Sequence, residues 1–219
     1  MSIEVVAFLN RCGRGRFYPL IRMYGMKLKR IQICALIAVF LIYSACKSIP
    51  PEIPHAIMGT GKLSARQLTA FFLTQTDEIE REKIERLAAY YIEEAQSEGI
   101  NSDIAFAQMC LESGFLRFGN LVTIDMNNFC GLGAINEENP GLAFPDERTG
   151  VRAHIQHLKA YASAEPLNNP SVDPRYRYVN PKGKAPEIEQ LSGTWAADTL
   201  YGLKIAQILR RMYLSQLHR

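Results

Sequence analysis

The sequence predicts a mainly α-helical domain with a small irregular lobe set between helices. Apolar residues recur at helical spacing before residue 112 and again after residue 148. Residues 114–148 are instead rich in Gly, Asn and Pro and carry no helical period. Strand-like runs do not alternate with helices, which excludes an α/β arrangement.

Ser64 is placed to cap a short helix, "ARQLTAFFLTQ". The segment "DEIEREKIERLAAYYIEEAQSEG" reads as the clearest helix: Ile79, Ile84, Leu87, Tyr91 and Ala95 form its stripe, acids crowd its first turn, and Gly99 stops it. Asn101 or Ser102 restarts the chain into an almost wholly apolar helix, 104–111, expected at the centre of the domain. The lobe follows, with room for a short hairpin. Thr149 is expected to cap the next helix, which shows Val151, Ile155, Leu158 and Tyr161 on one face. The stretch "EPLNNPSVDPRYRYVNPKGKAP" reads as a long loop bearing aromatics and bases. A short helix from Glu187 and an amphipathic one from Asp198 to about Leu214 complete the domain.

Charge is unevenly distributed. Residues 1–46 hold seven bases and one acid, +6, whereas residues 47–219 hold eighteen bases and twenty-one acids, −3. The basic balance therefore belongs to the leader, and nothing in the domain suggests nucleic acid. From Met26 the leader reads "MKLKRIQICALIAVFLIYSACKS": basic residues, about ten apolar residues, then Ser44, Ala45 and Cys46. Those are the parts of an export signal, and the apolar run is shorter than the roughly 20 residues a span needs. Cys46 after two small residues resembles the lipobox of bacterial lipoproteins, although Tyr43 stands where an aliphatic residue is usual. Lipidation at Cys46 and anchoring in the membrane of the cell envelope are the expectation, with a secreted form or a retained anchor as alternatives. Residues 47–63, with three prolines and two glycines, read as a tether, leaving 64–215 as the folded domain. Cys110 and Cys130 fit either a disulfide or two buried thiols.

The chemistry centres on "QMCLESGF", residues 108–115, where Glu112 closes an apolar helix and faces a loop. An acid there costs stability unless it is used, and burial suits it to proton donation. A solvent-facing helix end is the competing reading. His154 and His157 stand three apart without an HExxH pattern, so no metal site is expected, nor is any cofactor. Neither Cys110 nor Cys130 opens a helix in a nucleophile motif, and Gly131–Gly133 follows no strand and precedes no lysine. One acid above a lobe carrying Asn, aromatics and the acids Asp125, Glu137, Glu138, Asp146 and Glu147 suits glycoside hydrolysis.

Four blocks in order, "DIAFAQMCLESGF", "NNFCGLGA", "FPDERTGVRAHIQHLKAYA" and "GTWAADTLYGLKI", resemble the glucosaminidase domain of glycoside hydrolase family 73 over roughly residues 64–215. The resemblance implies a lysozyme-like α+β fold with a lobe flanking the active-site cleft. It also implies cleavage of peptidoglycan after N-acetylglucosamine. Glu112 matches the family's catalytic acid. Asn128, Phe129 and Gly131 match its cleft-floor block, and Trp195, Asp198 and Tyr201 match a block usually written with a tyrosine where Trp195 stands. The family often supplies its second carboxylate from the lobe, upstream of the phenylalanine that Phe144 matches, so the resemblance implies Glu137 or Glu138, with Glu138 chosen ahead of Glu137; Asp146 and Glu147 read as turn or N-cap acids. A muramidase or lytic transglycosylase on a similar fold, and a glycan-binding lipoprotein without turnover, are the alternatives.

Overall fold

The computed structural model describes residues 51–119 and 121–217; the leader with Cys46, and the start of the expected tether, lie outside them. Five α-helices carry the described domain: α1 (Ala65–Phe72), α2 (Arg81–Glu98), α3 (Ser102–Glu112), α4 (Glu147–Ala162) and α5 (Tyr201–Leu214). Three 3₁₀ turns, Ile124–Met126, Tyr176–Tyr178 and Ile188–Leu191, and one hairpin, β1 (Ala134–Asn136) with β2 (Asn139–Pro140), lie between them. The predicted mainly helical fold is the one observed.

The ends of the helices follow local chemistry. Ser64 and Gln67 form a reciprocal capping box on α1. Gly99 closes α2 at φ 74°, a left-handed conformation that glycine adopts without a Cβ penalty. Asn101, not Ser102, caps α3, accepting from the N–H groups of Asp103 and Ile104 at 3.0 and 3.3 Å. Two starts differ from expectation. Helix α2 begins at Arg81 instead of Asp77, because the Thr76 hydroxyl accepts the Glu78 N–H at 3.2 Å and holds the chain in a non-helical turn. Asp146 rather than Thr149 caps α4, its carboxylate accepting the Thr149 N–H at 2.8 Å and the Thr149 hydroxyl at 2.9 Å.

Helix α3 is buried from Ser102 to Cys110 and packs against α2, α4 and α5, as its apolar composition requires. Leu68, Phe72, Leu87, Tyr91, Phe106 and Leu158 belong to the same continuous core. A second, smaller cluster of Cys130, Leu132 and Phe144 seats the lobe on Ala153 of α4. The seating is close: a Cβ on Gly150 would lie 1.8 Å from the Asn127 carbonyl oxygen, so only glycine lets α4 pass the lobe at this point.

The tether reading is corrected over residues 51–63, which are part of the domain. Ile53, Ile57 and Leu63 are buried in the main core. Backbone bonds from Ile57 to Pro186 (2.9 Å), Gly59 to Gly99 (2.9 Å) and Asn101 to Ile57 (2.8 Å) replace helical ones. Pro and Gly here give an irregular path that still satisfies its backbone groups by packing. Cys110 and Cys130 are both free and buried, so the disulfide alternative is set aside.

Candidate active site

Glu112 ends α3 beneath a cleft of about 640 Å³, within the roughly 300–1,000 Å³ usual for small-ligand sites. The lobe supplies one wall through Val122, Asn128 and Gly131–Ala134. His157 and Tyr161 of α4, with Arg175 and Trp195, supply the other. Burial pushes the Glu112 carboxyl above the ordinary glutamate value, opposed by hydrogen bonds from Tyr201 and Trp195.

Both bonds reach the same oxygen. Trp195 Nε1 donates to Glu112 Oε1 at 2.8 Å, and the Tyr201 hydroxyl donates to Oε1 as well. With Oε1 a double acceptor, the proton of the neutral acid resides on Oε2. Behind Tyr201 runs a buried chain. Gln108 Nε2 donates to the Tyr201 hydroxyl at 2.9 Å, His154 Nε2 lies 3.0 Å from Gln108 Oε1, and the Tyr91 hydroxyl lies 2.8 Å from His154 Nδ1. Burial, with His157 nearby, holds His154 down to about 3, so the imidazole is neutral. The amide orientation then assigns its proton to Nε2 and leaves Nδ1 to accept from Tyr91. Every group in the chain has a partner, and its polarity runs from Tyr91 to Glu112.

Trp195 links this chain to the cleft wall. Its ring centroid lies 5.2 Å from that of His157 and 5.1 Å from that of Tyr161. His157 is itself held by Asp173, Nδ1 to Oδ2 at 2.7 Å, with Asp173 buried.

Other residues singled out from the sequence are placed as follows. Asn128 borders the cleft, but its side chain is committed to the lobe backbone. Its Nδ2 donates to the Leu132 and Leu142 carbonyls and its Oδ1 accepts from the Leu132 N–H, each at 2.9 Å. Gly131 lines the cleft at φ 68°. Phe129 is packed in the helical core. Asp198 is half-buried, pairs with Lys204 at 2.5 Å and accepts the Leu200 N–H at 2.9 Å, which shapes the turn into α5 and delays that helix to Tyr201. Glu137 and Glu138 are the exposed two-residue turn of the hairpin. Ala134 at the base of β1 lines the cleft, and three strand residues at about 3.3 Å each carry the tip about 10 Å beyond it. Asp146 and Glu147 lie at the start of α4, Glu147 bound to Arg86 at 3.0 Å and Lys83 at 3.3 Å.

The family described as mannosyl-glycoprotein endo-beta-N-acetylglucosaminidase matches residues 88–214. The chain belongs to this glucosaminidase family. It is accordingly a glycoside hydrolase. An uncharacterized protein of Borreliella burgdorferi is 40% identical over 153 residues, covering 70% of this chain and 74% of that one. The crystal structure of S. aureus autolysin E in complex with the muropeptide NAM-L-Ala-D-iGlu is similar at a TM-score of 0.46 and 12% identity, over 75% of each chain. The glucosaminidase match runs from the middle of α2 to the end of α5 and includes every member of the chain from Tyr91 to Glu112.

Sequence reasoning missed much of this candidate site: Tyr91, Gln108, His154, His157, Tyr161, Asp173 and Arg175. The available signal was the pair His154 and His157 on an otherwise apolar face, which was weighed only as metal ligands. Gln108→Leu tests the chain. It removes the donor that polarises the Tyr201 hydroxyl and leaves the His154 N–H unpaired, which should cost about 1–3 kcal/mol of stability. A weaker bond from Tyr201 lets the Glu112 pKa rise further. The alkaline limb of the kcat/KM profile should therefore move to higher pH while kcat falls several-fold. An unmoved limb would confine Gln108 to a packing role.

Proposed function

We propose that this glucosaminidase cleaves the β-1,4 bond following N-acetylglucosamine in bacterial peptidoglycan, with Glu112 as general acid. The observation that carries the reading is the carboxyl group itself: half-buried, bordering the cleft, raised in pKa by desolvation, and with one oxygen occupied by two donors. In the proposed reaction the proton on Oε2 passes to the glycosidic oxygen as the C1–O bond breaks. The carboxylate that remains is stabilised on Oε1 by Trp195 and Tyr201. Trp195 and Gly131 border the bound sugar, and Asn128 shapes the wall facing it.

For the second step, Glu138 activates water, with the hairpin bending over the occupied cleft. A lone two-stranded hairpin is marginally stable by itself, which suits such movement. Glu138→Gln should then lower kcat with little change in KM, because its charge matters mainly as the transition state forms, while Glu137→Gln does less. Wild-type turnover in both variants would transfer this step to the substrate's own N-acetyl group.

The deciding experiment is mass spectrometry of peptidoglycan digested by the purified protein. Reducing-end N-acetylglucosamine is the expected product. Reducing or anhydro-muramic ends would make the enzyme a muramidase or lytic transglycosylase, and undigested glycan would make it a binding protein. Lipidation at Cys46 anchors the enzyme to the membrane beside its substrate in this reading. Cys46→Ser should move the protein from the membrane to the soluble fraction, since stable anchoring takes more than one acyl chain and all are lost together. Retention in the membrane would identify the apolar leader as the anchor.

A further inference from the structure

Residues 174–186 hold Arg175, Arg177, Lys182 and Lys184 and no acid. The remainder of residues 47–219 holds fourteen bases against twenty-one acids, so a +4 loop sits on a −7 background. None of the four bases joins an ion pair among the described residues, although Lys83, Arg86, Arg148, Arg152, Lys159 and Lys204 all do. They lie on aromatic rings instead. Arg175 and Arg177 are 5.7 and 4.9 Å from the Tyr178 centroid, Lys182 is 4.3 Å from Tyr176, and Lys184 is 4.7 Å from Tyr161. Tyr178 is 62% exposed.

The loop is tied down. Asp173 Oδ1 accepts the Arg175 N–H at 2.8 Å, and the N–H groups of Gly183 and Ala185 donate to Ala160 and Tyr161 of α4 at 3.0 and 2.8 Å. Arg175 and Tyr161 also line the cleft that holds Glu112. Four like charges on one fixed loop repel each other, and a neutral sugar polymer would offer nothing in return. A carboxylate would: the guanidinium fork binds one bidentately, and although Arg177 donates to the Tyr178 hydroxyl at 2.8 Å, the Arg175 guanidinium makes no hydrogen bond among the described residues.

We infer that residues 174–186 form a carboxylate-recognition arm at one end of the cleft, with Arg175 as its innermost contact, selecting anionic glycan over neutral glycan. The inference rests on the glycan-hydrolase reading above. Glycan carrying muramic acid offers two sources of carboxylate: the lactyl group of the sugar when it is unsubstituted, and the stem peptide when it is attached. An anionic membrane surface is the competing partner, disfavoured because Arg175 lines the cleft.

The full-length protein in detergent is assayed on peptide-bearing peptidoglycan, on amidase-stripped glycan and on chitooligosaccharides. Arg175→Gln should lower the ratio of kcat/KM on anionic glycan to that on chitooligosaccharides about tenfold. Lys184→Gln combined with Arg177→Gln should lower it less. Raising salt should depress the wild-type ratio and leave the Arg175→Gln ratio nearly flat. Loss confined to stripped glycan assigns the lactyl carboxylate, and loss confined to peptide-bearing material assigns the stem peptide; both support the arm. An unchanged ratio in both variants overturns it, as does reduced binding to phosphatidylglycerol vesicles with the ratio intact. If the wild type cuts none of the three substrates, the hydrolase reading fails by itself. Co-sedimentation with the two anionic glycans, weakened by Arg175→Gln or not, then still decides the arm.

Discussion

Glu112→Gln is expected to abolish hydrolysis while the protein folds normally and still binds glycan. Glutamine keeps the shape and leaves Oε1 to accept from Trp195 and Tyr201, but it has no proton to give. Loss of a general acid costs on the order of 10²–10⁴-fold, and release of reducing ends from peptidoglycan is the measurement. The stability effect has the opposite sign. A carboxyl whose folded pKa is raised favours the native state at low pH and loses that contribution as pH rises through the folded value. The wild type therefore carries an ionised, desolvated group above that pH that the variant lacks. The variant should melt at the same temperature as the wild type in acid, and at the same or a higher one at pH 7. Near-normal turnover would remove Glu112 from the mechanism.

Lys159→Met should give the largest loss of stability. Lys159 Nζ meets Glu98 Oε2 at 2.9 Å with side-chain exposures of 1% and 0%. Glu98 also accepts the N–H groups of Asn168 and Asn169 at 2.9 and 3.0 Å, which pins the long loop leading to Asp173 and Arg175. Removing one partner of a buried pair leaves the other charge uncompensated, at a cost of about 3–5 kcal/mol. Burial raises the Glu98 pKa, but bonds from Asn168, Lys159 and Asn169 outweigh it and hold the group below its ordinary value. A depressed acid stabilises the fold above its unfolded pKa and loses that contribution as pH falls through the folded value. The difference between wild type and Lys159→Met should thus be widest near neutrality and shrink below about pH 4, as read from urea melts at the two pH values. A constant difference would point to packing alone.

Local patterns in the chain determined the helical class and the capping of α1 by Ser64. They also determined the left-handed stop at Gly99, the central burial of α3 and the choice of Glu112, because each depends on neighbours within a few residues. The starts of α2 and α4 were misjudged by a few residues where a hydroxyl or carboxylate competed for the same backbone N–H groups. Residues 51–63 were read as a tether because Pro and Gly hide the burial of Ile53, Ile57 and Leu63, which only contacts distant in sequence reveal. The site was half legible for the same reason. Glu112 and Tyr201 stand out within their own blocks, and Trp195 stood out as a departure from the family's tyrosine. That the indole and the phenol meet on one oxygen of Glu112, 83 and 89 residues away in the chain, follows only from packing α3 against α5 and the segment before it. The relay through Gln108, His154 and Tyr91 joins three helices whose spacings carry no trace of one another. The tertiary structure decided which buried polar groups are paired with which, since a buried hydrogen bond is set by where helices cross and not by the order of residues along them.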